Sequence, residues 1–216
     1  MQPNRETRTV ELILMGGGGH CESCIGSISG QSQYKIHGIL DQHAAEILGV
    51  PVIGNDALLS ELVAQGRFEF LVTVGQIKSA VIRKRIFESI GAAGGKPAVV
   101  ICAGAWVATS AKIGEGSIVM RGALVNESAV VGENCIINNL SLVEHGAVIG
   151  AHSHVATGAL INGECRVGPE VLIGSGAILI QGVEICAGTI VGAGSVVHRD
   201  IREAGVYAGN PARRIG

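Results

Sequence analysis

The sequence predicts a small α/β domain followed by a parallel β-helix, and three features of its 216 residues support this fold class. Near the start, a short apolar strand leads directly into a glycine-rich turn and the beginning of a helix. Two further strand-like segments and an amphipathic helix follow before residue 97. From residue 101 onward, aliphatic side chains recur every six residues, a period that neither a helix nor a meandering sheet has.

The first strand and the turn after it form the arrangement that binds phosphate in many α/β domains. The segment "VELILMGGGGHCESCIGSI" contains a buried strand (Val10–Met15), four glycines and then a helix start. Such a turn presents backbone amides and a helix N-terminus to an anion. The next strand, "IHGIL", ends at Asp41, whose carboxylate could contact a ligand hydroxyl. A third strand, "RFEFLVTVG", ends at Gly75.

The helix "SAVIRKRIFESIG" follows the third strand. Its apolar stripe consists of Val81, Ile82, Ile86 and Ile90. Arg83, Lys84 and Arg85 are predicted to lie largely on a solvated polar side. Residues 1–97 are therefore expected to form one α/β domain, joined through "GAAGGKPA" to a β-helix domain over residues 98–216.

The second domain is predicted from the six-residue repeat, whose frame never slips. Each hexad supplies one flat face, with its aliphatic side chain inside and a small residue near the corner. Cys135 and Cys165 occupy small-residue positions and are expected to be buried. Sixteen hexads at three per coil give about five coils. The repeated aliphatic position contains Ile101, Val107, Ile113, Val119, Val125, Val131, Ile137, Val143, Ile149, Val155, Ile161, Val167, Ile173, Leu179, Ile185, Val191 and Val197.

Three histidines, His145, His152 and His154, lie within ten residues of this repeat. None falls on an inward position, so all can face outward, and His152 is expected to be solvated. His145 and His154 are half of a roughly eighteen-residue coil apart, which puts them on different sides of the prism. In a threefold oligomer, His145 can face a neighbouring subunit's histidine. Gly163 should stack one coil above His145, so the spacing predicts a homotrimer with intersubunit sites.

Composition narrows the possible partners. A net charge of −2 and a pI near 6.4 give no reason to expect nucleic acid or an anionic membrane. The polar start and the shortness of the apolar runs lead us to expect a soluble, cytoplasmic protein. The six cysteines are then expected to be reduced. Cys21 and Cys24 form a lone CxxC, for which a redox role is a weaker alternative to helix packing.

Nearly end to end, the chain resembles the bacterial sugar acetyltransferases that join a Rossmann-like α/β domain to a left-handed parallel β-helix. These include N-acetyltransferases of UDP-4-amino-sugars and O-acetyltransferases of sialic acid. The matching marks are "GGGGH", "ILDQ", "TVG", "LVEHGAVIGAHSHVATGA" and the tail "GVYAGNPARRI". The resemblance implies acetyl-CoA as the co-substrate, a nucleotide-sugar acceptor, a homotrimer, and no metal.

The resemblance also implies residue roles. His145 would be the general base, and Asn138 a supporting polar residue. The coenzyme side would comprise His154, the Gly163 amide that holds the thioester carbonyl, and the tail residues Gly209, Pro211, Ala212 and Arg213. The nucleotide sugar would contact Gly16, Gly17, Gly18, Gly19, His20, Asp41 and Gly75.

One departure from the family concerns the base. A glutamate typically follows the catalytic histidine, but this chain has Gly146. Glu144 precedes the histidine, and alternate side chains on a strand point to opposite faces. We therefore expect His145 to lack an orienting carboxylate. No serine or cysteine is paired with His145, so we expect direct attack by the acceptor in a ternary complex.

Three alternatives follow from the same residues. Without the carboxylate after His145, a hydroxyl of a sialic-acid-like sugar stays open as the acceptor. Metal-dependent carbonic anhydrases share the β-helix, but the spacing of His145, His152 and His154 does not match their ligand pattern. A purely structural β-helix would not need the glycine turn in front.

Overall fold

The computed structural model describes residues 9–42 and 45–216. It contains a front α/β unit built on a six-stranded sheet and a β-helix built from three sheets. The front elements are β1 (Val10–Met15), α1 (Gly19–Ile28), β2 (Tyr34–Leu40), β3 (Glu46–Ile47), β4 (Val50–Gly54), α2 (Leu59–Ala64), β5 (Phe68–Val72), α3 (Val81–Ala92) and β6 (Lys96–Pro97), with a 3-10 turn (Asp56–Leu58) before α2.

The front sheet has the order β3-β4-β2-β1-β5-β6. All neighbouring strands in it are parallel except the short β3–β4 pair. The central strand β1 is flanked by parallel neighbours and is buried from residue 12 onward, as its unbroken apolar sequence predicts. The three predicted strands are present, although the third ends at Val72 rather than Gly75. Residues 73–75 instead form a loop above the sheet.

The β-helix strands are two residues long in most coils. They are β7 (Val100–Ile101), β8 (Trp106–Val107), β9 (Lys112–Ile113), β10 (Ile118–Val119), β11 (Leu124–Val125), β12 (Val130–Val131), β13 (Ile136–Ile137), β14 (Leu142–Val143), β15 (Val148–Ile149), β16 (His154–Val155), β17 (Leu160–Ile161), β18 (Arg166–Val167), β19 (Leu172–Ile173), β20 (Ile178–Leu179), β21 (Glu184–Ile185), β22 (Ile190–Val191), β23 (Val196–Val197), β24 (Val206–Ala208) and β25 (Arg213–Arg214).

Residues eighteen apart pair in register on each face of the prism. Ile118 pairs with Ile136, Leu124 with Leu142, and similar parallel pairs repeat around all three sheets. All seventeen aliphatic side chains of the predicted repeat belong to, or pack against, one apolar core inside the prism. Both the six-residue period and its inward frame are therefore confirmed.

The three outward surfaces of the prism differ in chemistry. The surface through β7, β10, β13 and β16 packs under the front unit. The surface through β9, β12, β15, β18 and β21 includes Lys112, Arg166 and Glu184, and we call it the charged face. The third is apolar throughout and half-exposed, and we call it the apolar face. Its outward side chains are Trp106, Leu124, Leu142, Leu160, Ile178 and Val196.

Helix α3 corrects one prediction. Arg83 is not solvated but only 1% exposed, whereas Val81 and Ile82 are exposed. The reason is that α3 lies between the front sheet and the β-helix, so two of its sides are covered. The Arg83 guanidinium donates to the Asn134 carbonyl of the β-helix. Tertiary packing has overridden the amphipathic pattern here.

Candidate active site

A cavity of about 590 Å³ lies at the carboxyl ends of β1, β2 and β5. Ligands bind at this edge in open α/β sheets, because the loops that leave the strands converge there. Its lining joins the glycine turn to one residue of the β-helix. The lining residues are Gly16, Gly17, Gly18, Gly19, His20, Asp41, Thr73, Val74, Gly75, Gln76, Ile77 and His154.

Two backbone amides of the glycine turn are used within the fold, and the amides that follow them face the cavity. The Gly16 amide donates to the Leu40 carbonyl, and the Gly17 amide donates to Asp41 Oδ2 at 2.7 Å. Neither amide is therefore available to an anion. Gly18 is the N-cap of α1, and no side chain caps that helix. The helix N-terminus thus presents its first amides and its dipole to the cavity, as phosphate binding requires.

We predict that Gly18→Val raises the acceptor KM at least about tenfold, equal to about 1.4 kcal/mol. A Cβ at Gly18 meets nothing within 4 Å, so the valine occupies ligand space without disturbing the fold. Gly16→Val is less informative, because its Cβ would overlap Val74 at a φ of +105°. Steady-state kinetics with each substrate varied test this prediction. Gly26→Val, also in open space but on the exposed side of α1, should leave both KM values unchanged.

His20 forms one wall of the cavity. Gly75 lies against it, since a Cβ there would be 3.3 Å from His20 Cβ. The Nε2 atom of His20 is 3.5 Å from Cys24 Sγ, and the His20 ring centroid is 6.2 Å from that of His154. Burial lowers the pKa of His20 to about 3, with smaller contributions from His154 and Arg83. The imidazole is therefore neutral at pH 7.

His154 is buried beneath the front unit, and both of its ring nitrogens are hydrogen-bonded. Nδ1 lies 3.1 Å from the Gln76 carbonyl, so it must carry the proton and donate. Nε2 then accepts from Asn138 Nδ2 at 3.1 Å. Burial lowers the pKa of His154 to about 4. Asn138 therefore contacts His154 within one chain, and it fixes that imidazole in one neutral tautomer.

These two histidines predict a loss of stability in mild acid. Their folded pKa values lie below the unfolded value near 6.5, so the unfolded chain binds more protons as pH falls. The stability they contribute is complete above about pH 6.5 and declines below it. At pH 4.5 each should cost on the order of 2–3 kcal/mol. Urea unfolding at pH 7.0, 5.5 and 4.5 measures the decline. Equal midpoints at the three pH values would contradict the assignment.

His152 is 7% exposed, so the prediction that it is solvated is wrong. It points away from the prism but is covered by α3 of the front unit. Its Nδ1 is 3.0 Å from Asn134 Nδ2, and its ring meets Phe87 edge-on at 5.7 Å. His152 therefore belongs to the contact between the front unit and the β-helix, not to the cavity.

His145 lies at an exposed corner of the prism, with 58% of its side chain accessible. The expectation that it lacks an orienting carboxylate is wrong, because Glu144 Oε2 is 3.0 Å from its Nδ1. Strand alternation does not apply here, since β14 ends at Val143 and both residues belong to the following turn. Gly146 completes that turn at a φ of +65°, which glycine adopts without strain.

Glu144 is itself held in place. Its Oε2 accepts from Asn126 Nδ2 at 2.8 Å and from the His145 amide at 3.0 Å. The hydrogen bonds from the His145 backbone and side chain lower the pKa of Glu144, which keeps it ionised. Because the carboxylate only accepts, His145 Nδ1 is the protonated nitrogen. In the neutral imidazole, Nε2 is then left with a free lone pair, as a general base requires.

Gly163 stacks on His145, as the spacing predicts. A Cβ at Gly163 would lie 2.6 Å from His145 Nε2, so only glycine leaves the ring in this position. Its carbonyl accepts from the Gly182 amide. Among the residues that the structure describes, no acceptor pairs with the Gly163 amide. The preceding Asn162 side chain is turned away, toward the Leu179 carbonyl at 2.8 Å.

The tail predicted to contact coenzyme A lies at the end of the prism. The Gly209 amide donates to Ser195 Oγ at 3.2 Å, and the Ala212 amide to the Val196 carbonyl at 2.9 Å. The peptide bond before Pro211 is cis. Ala212 and Arg213, together with Arg199 and Arg214, border a small cleft of about 160 Å³.

The cysteines are packing residues in this structure. Cys21 and Cys24 are fully buried in α1, and burial raises the pKa of both thiols. Cys135 and Cys165 lie inside the prism, as predicted. Within residues 9–42 and 45–216, no three His, Cys, Asp or Glu side chains are arranged to hold a metal ion. None of the described helices combines the length and apolar character needed to cross a membrane.

Two polar residues of the site were missed from the sequence. Strand alternation does not predict the position of Glu144, because the strand ends at Val143 and a corner of the six-residue repeat follows directly. Gln76 directly follows the "TVG" segment, and nothing in its neighbours marks it as buried. Arg83, by contrast, was assigned to solvent; burial lowers its pKa to about 10, and among the described residues no carboxylate pairs with it.

Comparison with known proteins agrees with this geometry. Residues 11–90 match the PglD N-terminal domain, and residues 164–199 match the bacterial transferase hexapeptide family (six repeats). The comparison with curated proteins found no match.

Solved structures match over nearly the whole chain. The acetyltransferase domain of PglB from Neisseria gonorrhoeae FA1090, in complex with acetyl coenzyme A, is 33% identical, with a TM-score of 0.90 over 96% of this chain and 100% of that chain. PerB from Caulobacter crescentus, in complex with CoA and GDP-perosamine, is 34% identical, with a TM-score of 0.87 over 95% and 97%.

WeeI from Acinetobacter baumannii AYE shares only the fold, at 22% identity and a TM-score of 0.77 over 95% of this chain and all of that one. The predicted fold class, a Rossmann-like α/β domain followed by a left-handed parallel β-helix, is confirmed. The chain belongs to the PglD-type hexapeptide-repeat sugar acetyltransferases.

Proposed function

We propose that this enzyme transfers the acetyl group of acetyl-CoA to the amino group of a nucleotide-linked amino sugar, with His145 as the general base. The observation that carries the proposal is the Glu144–His145 pair, which in the neutral imidazole leaves Nε2 unprotonated. Beside it lies the Gly163 amide, which pairs with no acceptor among the described residues. Two relatives support these substrates. The acetyltransferase domain of PglB was solved in complex with acetyl coenzyme A, and PerB in complex with CoA and GDP-perosamine.

Residues 1–97 bind the nucleotide sugar in this proposal, and residues 98–216 supply the acyl-transfer groups. The diphosphate lies at the N-terminus of α1, and the nucleoside lies toward Asp41. The sugar then extends toward the β-helix, where His20 and His154 close the cavity. Both imidazoles are neutral at pH 7, so neither repels a protonated amine.

The chemistry requires a base and a place for the developing oxyanion. The neutral form of the sugar amine attacks the thioester carbon with its lone pair and forms the new C–N bond, while His145 Nε2 takes one of the two protons on that nitrogen. The carbonyl oxygen gains negative charge and accepts from the Gly163 amide, a donor of a kind typically worth about 2.7–4 kcal/mol. The C–S bond then breaks, and His145 returns the proton to the thiolate of coenzyme A.

Coenzyme A follows the corner of the prism from Gly163 toward the tail. Arg199 lies at the position equivalent to His145, three coils further along the prism. Successive coils are about 4.8 Å apart. A distance of about 14 Å therefore separates the base from the arginines beside Ala212. Arg199 and Arg213 are exposed there and suit the coenzyme phosphates.

The site is completed by a neighbouring subunit of a homotrimer. His145 and the cavity of the same chain lie on different sides of the prism, because His154 is in β16 and His145 follows β14. The apolar face lies beside the His145 corner, and it exposes Trp106 at 49%. A continuous apolar surface of this kind marks a protein interface. Association through it brings His145 of one subunit to the sugar of the next.

Coenzyme A release with a panel of nucleotide amino sugars tests this proposal. UDP-, GDP-, dTDP- and CMP-linked amino sugars should be assayed in parallel with a hydroxyl-bearing CMP-sialic acid. An amide product resists mild hydroxylamine, whereas an ester is cleaved, so the product distinguishes N- from O-acetylation. Release with the sialic acid alone, and a hydroxylamine-labile product, would favour the O-acetyltransferase alternative.

A further inference from the structure

Gln76 occupies the junction between the cavity and the β-helix. It follows β5 in the loop that leads to α3, lines the cavity, and is 4% exposed. Its backbone carbonyl accepts from His154 Nδ1 at 3.1 Å. Its side-chain Nε2 donates to the Glu170 carbonyl at 3.3 Å. The first contact holds the backbone of Gln76 against the β-helix, and the second ties its carboxamide to the same domain.

The remaining atom of the carboxamide, Gln76 Oε1, is buried and unpaired among the described residues. Leaving such an acceptor without a donor destabilises a folded protein. The other buried side-chain atoms of this kind among the described residues are Glu11 Oε2, Arg83 Nε and Asn134 Oδ1. None of those three residues lines the cavity. Gln76 is therefore the one of these four residues that also lines the cavity, and a small movement of its side chain would expose Oε1, which is itself covered, to a ligand there.

Resting on the proposed function, we propose that Gln76 Oε1 accepts a hydrogen bond from a hydroxyl or amino group of the sugar. In the proposed function the diphosphate binds at the N-terminus of α1 and the nucleoside lies toward Asp41. The sugar is therefore the part of the ligand that lies beside Gln76. Gln76 then selects sugars with a donor at this point, and the nucleotide contributes nothing to the contact.

Two substitutions separate this role from the docking of the two units. Gln76→Met keeps the length of the side chain but removes both the acceptor and the Nε2 donor. Gln76→Glu removes the donor to Glu170 but keeps an acceptor oxygen. Calorimetry on the full chain should give the Kd of GDP and GDP-perosamine, and of UDP and a UDP-linked 4-amino-4,6-dideoxy sugar. The comparison uses whichever nucleotide and sugar nucleotide the wild-type protein binds. The ratio of their two Kd values gives the contribution of the sugar to binding.

We expect Gln76→Met to weaken sugar-nucleotide binding about 5- to 100-fold while the nucleoside diphosphate changes less than about twofold. Gln76→Glu should keep the wild-type ratio within about threefold. The control Gln65→Met, on an exposed glutamine, should change neither Kd. A purely structural role would weaken both ligands equally in both variants, and that result would overturn the inference.

The binding ratio does not require turnover, so its failure is distinct from failure of the proposed function. An enzyme that binds the sugar nucleotide but releases no coenzyme A would contradict the proposed acetyl transfer alone. Normal turnover with an unchanged ratio in Gln76→Met would contradict the role of Gln76 alone.

Discussion

Replacing His145 with alanine should lower kcat by about 10²–10⁴, the usual range for the loss of a general base. In the neutral imidazole of His145, Nε2 is unprotonated, since Glu144 accepts from Nδ1, and the exposed ring stacks on Gly163. Both nitrogens of His154 are already hydrogen-bonded, so that residue cannot replace it. Steady-state kinetics, with circular dichroism to check folding, measure the effect.

Two companion variants make this result specific. Glu144→Gln keeps the size of the side chain but removes the charge that holds the tautomer, so kcat should fall by a smaller factor than in His145→Ala. His152→Ala should leave turnover nearly intact, because His152 lies at the contact with α3. Near-normal turnover in His145→Ala together with loss of activity in His152→Ala would refute the assignment of the base.

The repeat was the part of the fold that the sequence predicted best, and the reason is physical. Every inward position packs against the same residue type one coil away, so one six-residue rule governs each of them. The stacking of Gly163 on His145 follows from that rule without any knowledge of the front unit. Positions at the corners are equally regular, so the repeat also implies that Glu144 follows the end of its strand and is not bound by strand alternation.

The contact between the two units was not predictable in the same way. Arg83 and His152 look like solvated residues because their neighbours in sequence are polar or small. They are buried because α3 packs onto the prism, and a single sequence gives no indication of that packing. The same contact gives His154 its neutral state and Gln76 its unpaired oxygen. The features that tune the site therefore come from tertiary structure, whereas the base and its stacking partner come from the local repeat.

The assembly can be tested by placing a charge on the apolar face. Leu160→Asp puts a carboxylate in the middle of a surface that is apolar from Trp106 to Val196. If this surface is the subunit interface, burial of the unpaired charge should dissociate the trimer and lower activity at least about 100-fold. Val130→Asp makes a similar change on the charged face, and it should leave both assembly and activity unchanged. Light scattering coupled to size exclusion measures the mass of each variant.

Mixing two impaired variants, at an acceptor concentration well below the wild-type KM, then shows whether one site uses two subunits. In the proposed trimer, His145→Ala keeps an intact cavity and Gly18→Val keeps an intact base. Subunits exchanged at equal ratio should form about a quarter of sites with both intact parts, because each part comes from a different chain. Activity should therefore return to about a quarter of wild type. Either no recovery on mixing, or a fully active monomer of Leu160→Asp, would mean that each chain contains a complete site.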